Sequence, residues 1–190
     1  MHLNHYAAAA MLAVISASAA HAFDVTEFDD KAQWEDTVGH FTTLDFTGFE
    51  HAEPIVDQYA DLGAVFNPVV FAWGPFDIAF PNDGWGFRSQ IPFLVEFDSL
   101  QNWVAVDHPG TIAMDLMLDG EVIYESSTMG GGGLGFFSGI VSELEFDAVR
   151  LYRPSGNPVF GDDIHFGAIP APGALLVFGM AGLIGRRRRG

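Results

Sequence analysis

Two groups of residues in this chain have types and spacings that could do chemistry. Asp162 and Asp163 lie side by side just after the loop 156–160, and hard cations take several oxygens from loops and strand ends. If the first and last strands of the body are neighbours, Asp45 and Glu50 join them, and the four acids would hold Ca2+ and tie the ends of the domain together. The plain alternative is that Asp163 caps a turn and Asp162 is solvated. The second group lies on a Gly- and Pro-rich insertion, where Trp73 and Trp85 flank residues 74–84 and Arg88 follows. Aromatic faces stack on the apolar faces of sugar rings while polar neighbours orient hydroxyls, so Trp73, Trp85 and Arg88 read as a ligand-binding set for carbohydrate. The plain alternative is that both rings cover an edge of the fold.

Other chemistry lacks its residues. There is no Gly-x-Ser-x-Gly, no His-Glu-x-x-His, no phosphate loop and no cysteine, so no catalytic residue is assigned and the chain reads as a non-enzyme. His40, His51, His108 and His165 show no ligand spacing and read as turn or surface residues. All 25 acidic residues fall in residues 23–169 beside four basic ones, Lys31, Arg88, Arg150 and Arg153, for a formal charge of −21. That charge excludes nucleic acid and anionic lipid as partners and is compatible with cations or neutral polysaccharide.

The elements that must position these residues are mostly strands. One short helix is expected at the start of the body, capped by Thr26 with Asp29 at the box position, carrying Phe28, Ala32, Trp34 and Val38 on one stripe and ended by Gly39. The period then changes to two over 43–49, 63–66, 93–97 and 103–107. Residues 111–118 and 121–127 flank Asp119-Gly120, a dipeptide suited to the positive φ angles of a type I′ hairpin. Glycines 130–133 make a connection, and 145–152 and 158–166 supply the last strands. About ten short strands with turns between them predict an all-β antiparallel β-sandwich, jelly-roll-like, with a barrel as competitor. No linker or repeat divides the body.

The termini read as addresses. Residues 1–22 have an alanine-rich apolar stretch and end in Ala20-His21-Ala22, the pattern of a secretory signal peptide cut before Phe23. At the other end, Pro170-Ala171-Pro172 precedes 13 apolar or glycine residues, 173–185, and then Arg186, Arg187, Arg188 and Arg189. As a separate C-terminal helix the run reaches about 20 Å, against a hydrocarbon core of roughly 30 Å, so membrane insertion is marginal, transient or permanent. The arginines stay on the cytoplasmic side and the body lies outside.

A Pro-flanked turn, a glycine-rich apolar helix and a terminal basic cluster resemble the sorting tail of PEP-CTERM proteins, with Ala171 where Glu is usual. The body is similar to a domain common among them, through Leu44-Asp45-Phe46-Thr47-Gly48, Gln58-Tyr59-Ala60-Asp61-Leu62-Gly63-Ala64-Val65-Phe66, Phe136-Phe137-Ser138-Gly139-Ile140 and Asp162-Asp163-Ile164-His165-Phe166-Gly167. Thr47 replaces the usual acid and Ser138 is inserted. The resemblance implies a secreted sandwich domain and an exosortase-type membrane enzyme that removes the tail and leaves the body at the cell surface or in the extracellular matrix. Together these expectations describe a surface-sorted, non-enzymatic protein associated with extracellular polysaccharide or the cell envelope. The alternative is a carbohydrate-active hydrolase or lyase on the same scaffold.

Overall fold

The computed structural model describes residues 24–74, 84–156 and 158–169. The expected signal peptide 1–22, the expected sorting tail 170–190 and residues 75–83 of the aromatic insertion lie outside them. Along the described chain run β1 (Val25–Phe28), α1 (Lys31–Val38), β2 (Thr42–Leu44), β3 (Pro54–Ile55), β4 (Ala64–Asn67), β5 (Val70–Trp73), β6 (Gly86–Ser89), β7 (Phe93–His108), β8 (Thr111–Leu118), β9 (Glu121–Glu125), β10 (Met129–Gly130), β11 (Phe136–Tyr152), β12 (Val159–Gly161) and β13 (Ile164–Gly167). The fold is predominantly β, with antiparallel pairing throughout and one α-helix among the described residues.

The strands form two sheets. The larger follows the order β10-β8-β11-β7-β13-β2, with β1 on β11, β4 on β7 and β9 on β8; the smaller is β12-β6-β5-β3. One apolar core joins them: Ile55, Val70, Ala72, Phe87 and Val159 of the small sheet pack with Leu44, Phe66, Phe93, Val95, Val104 and Val106 of the large one. The Phe87 and Phe93 rings meet edge to face, 5.4 Å apart. This packing gives the two-layer β architecture expected from the alternating apolar pattern.

The large sheet is buried on both faces where β7 and β11 pair. One face enters the shared core. Helix α1 covers the other through a second cluster of Trp34, Val38, Trp103, Ala105 and Phe137. Trp34 is fully buried, a contribution of about 2–3 kcal/mol from its apolar area. Gly139 makes the seat, since a Cβ there would stand 2.6 Å from Trp34 Cδ1.

Two expectations about elements change. Residues 25–28 form β1, paired with β11 in the register Thr26↔Val141, instead of the first helical turn. Asp30 is the N-cap, its side chain accepting from the Gln33 N–H at 3.0 Å. The residues β1 contributes are apolar or β-branched apart from Glu27, and sheet pairing overrides the capping pattern. The helix otherwise buries Trp34 and Val38 and ends at Gly39 with φ 77°, while Ala32 is exposed. Second, 93–97 and 103–107 are the two ends of the single strand β7, which pairs with β4 and then with β13. The hairpin is as expected: Leu118 pairs with Glu121, and Asp119 and Gly120 take φ 52° and 83°.

Candidate functional site

The residues with the densest chemistry sit under α1, where three strands meet. β13 lies between β7 and β2 in the registers His165↔Ala105 and His165↔Thr43. Strand alternation therefore puts Asp107, His165 and Thr43 on the helix-covered face. Just before β13 begins, Asp162 N–H donates to the Asp107 carbonyl at 2.7 Å and Asp107 N–H to the Asp163 carbonyl at 3.0 Å. These bonds hold Asp163 beside Asp107.

The side chains close a chain of polar contacts. His165 Nδ1 is 2.9 Å from Thr43 Oγ1 and Nε2 is 3.0 Å from Asp107 Oδ2. Lys31, first residue of α1, donates from Nζ to the same Asp107 oxygen at 2.6 Å. Rings of Trp34, Phe41 and Phe137 surround the imidazole at 6.0, 5.1 and 6.5 Å between centroids. The Asp107 and His165 side chains are 8% and 3% exposed, whereas that of Lys31 is 33% exposed. Asp107 and Lys31 also line an open cleft of about 560 Å³ with Asp29, Asp30, Gly130, Gly135, Phe136 and Phe137.

Electrostatics separates the two acids. Burial alone would raise Asp107, but hydrogen bonds from His165 and Lys31 and their charges outweigh it and hold the carboxyl below the usual carboxylate range. Burial pushes Asp163 up; Asp107 and Asp45 add to the rise, and His165 and Lys31 oppose it.

Of the four acids expected to share an ion, Asp163 is the one in this cluster. Asp45 follows β2 on an exposed turn, where its Oδ1 accepts from Thr47 N–H at 3.1 Å and Oγ1 at 2.6 Å. Its carbonyl accepts from the buried Tyr59 hydroxyl. Glu50 is exposed and its N–H donates to Glu53 Oε2 at 2.8 Å. Asp162 is 1% exposed. Among the described residues, the ligating group of three or more with donor atoms within 4.8 Å of one another is Asp107, Asp163 and His165.

His108 and His165 are corrections: both are buried, and neither is a turn or surface residue. His108 faces the core, with Nε2 2.7 Å from the buried Ser138 Oγ. Of the cluster residues, Lys31, Thr43 and Asp107 fall in no motif, and His165 lies in the segment 162–167 with no role read for it there. They are 58 to 122 residues apart in their pairings, and the usable signal was an Asp and a His inside otherwise apolar strands.

The aromatic set lies on the small sheet's outward face. Pro54, Phe71, Arg88 and Phe160 occupy one cross-strand row through the registers Pro54↔Phe71, Phe71↔Arg88 and Phe160↔Arg88. The Arg88 guanidinium stands 4.4 Å from the centroid of the Trp73 ring and 5.7 Å from that of Phe160. Phe71 is 37% exposed. With its amide oriented to satisfy both groups, Gln90 accepts from Arg88 Nε at 3.2 Å. Trp73 and Arg88 thus come together, while Trp85 lies against Gly74, where a Cβ would be 2.7 Å from Trp85 Cδ2.

No helix among the described residues is long and apolar enough to cross a membrane. Comparison of the chain with protein-family models, with curated proteins and with solved structures finds no match.

Proposed function

We propose that this is an exported, surface-sorted, non-enzymatic protein that associates with extracellular polysaccharide through the outward face of its small sheet. The observation that carries the reading is the row of Phe71, Arg88 and Phe160 beside Trp73. It is a shallow platform in which two rings can meet the apolar faces of sugar residues while the guanidinium and Gln90 meet hydroxyls. A body at −21 favours neutral over anionic polymers. We read the scaffold as jelly-roll-like, with β2, the strand that follows the helix, joined to the last strand, β13. The PEP-CTERM-like tail supplies the route to the cell surface by way of an exosortase-type enzyme.

The test is retention of the protein in native gels cast with a panel of purified exopolysaccharides. At least one neutral polymer should retard it, and Phe71→Ala or Arg88→Ala should remove most of the retardation with little change in melting temperature. Release of new reducing ends or unsaturated sugars during incubation would replace this reading with that of a hydrolase or lyase. Retardation that survives both substitutions would place binding elsewhere.

A further inference from the structure

We propose that Asp107, Asp163 and His165 form a site for a divalent first-row transition metal such as Mn2+ or Zn2+, entered from the cleft at Lys31. Three features of a working site coincide. The ligand atoms lie within 4.8 Å of one another, and the hydrogen-bonded pair His165 Nε2 and Asp107 Oδ2 at 3.0 Å needs to open little to hold an ion, since two neighbouring ligands with bonds of about 2.1 Å stand about 3.0 Å apart in octahedral and about 3.4 Å apart in tetrahedral coordination. The imidazole has a partner behind it: with an ion bound, Nδ1–H donates to Thr43 Oγ1, 2.9 Å away, and the Nε2 proton that bonds Asp107 in the ion-free protein leaves for solvent, so that the Nε2 lone pair meets the metal. The ring cannot tilt, because Trp34, Phe41 and Phe137 pack around it. Finally, Asp107 borders an open cleft that provides an entry path and room for water ligands.

The donor set selects the ion. Calcium takes six to eight oxygens, whereas one imidazole with two carboxylates suits manganese, iron or zinc. Lys31 tunes the affinity. Its ammonium donates to Asp107 Oδ2 at 2.6 Å, in competition with the metal for that carboxylate. A third of that side chain is exposed at the cleft, which leaves it room to swing outward when the ion enters.

The full-length chain, stripped with EDTA, would be titrated calorimetrically with MnCl2, ZnCl2 and CaCl2, and the Mn2+ form examined by electron spin-echo spectroscopy. One equivalent of Mn2+ or Zn2+ is expected, with Ca2+ weaker by at least about tenfold and a nitrogen modulation from the His165 imidazole on Mn2+. Asp163→Asn should weaken binding at least about tenfold, and Lys31→Met should strengthen it. Absence of stoichiometric Mn2+ and Zn2+ binding to both the native chain and Lys31→Met would overturn the site. So would unchanged affinity in Asp163→Asn, or Mn2+ bound without nitrogen coupling. Should Asp163→Asn fail to fold, the Lys31→Met affinity and the nitrogen signal decide the matter.

Discussion

Burial pushes the His108 imidazole down to about 4, although the backbone carbonyls of Pro109 and Gly110 and the charge of Asp107 pull it up; Arg153 pushes it the same way as burial. An unfolded chain takes up that proton near pH 6.5. Between pH 6.5 and 4 the unfolded state therefore binds more protons than the folded one, and stability falls as pH falls. The full loss, reached below pH 4, is about 3 kcal/mol at 1.36 kcal/mol per pH unit. Urea unfolding in EDTA at pH 7, 6, 5 and 4.5 should show this decline, and His108→Gln should flatten it. A native decline no steeper than the variant's would mean that His108 is not held neutral.

Element boundaries depend on which residue satisfies the open N–H groups of α1. Asp30 accepts from Gln33 N–H, so Asp30→Ala should cost about 1 kcal/mol. Thr26→Ala, at an exposed position of β1, should cost less than about 0.5 kcal/mol. Urea midpoints of the two variants measure the difference, and equal losses would return the cap to Thr26. The hairpin at Asp119-Gly120 was legible because its turn chemistry is local. The start of α1 was not, since strand pairing with residues 139–142 more than a hundred positions away competes with a capping signal. The unity of β7 was also hidden: residues 98–100 in its middle are exposed, and that break splits the apolar pattern into two segments that read as separate strands.

At the scale of the molecule, the strand expected over 43–49 begins as β2, and β2 pairs with the last strand, β13. What could not be read was the third partner. Asp107 reaches the cluster only because β7 runs beside β13, a matter of strand order that no spacing encodes. The aromatic platform was partly legible, through Trp73 and Arg88, while Phe71 and Phe160 enter by register. The proposed sorting route makes a further claim: mass spectrometry of the mature surface protein should find a C-terminus near residue 170. Intact Arg186 to Arg189 on that protein would show a retained anchor.

A body held to the cell surface by its C-terminal end would receive every external pull through β13. That strand is not at a margin that can be peeled: β7 flanks it on one side and β2 on the other, and Ile169 N–H beyond it is fastened to Asn102 Oδ1 at 3.1 Å. Backbone bonds in antiparallel pairs run across the strand direction. Tension along β13 is therefore shared by both ladders at once, as shear, and they must yield together. The pairing of β13 with both β7 and β2 makes the proposed attachment point a clamp loaded in shear.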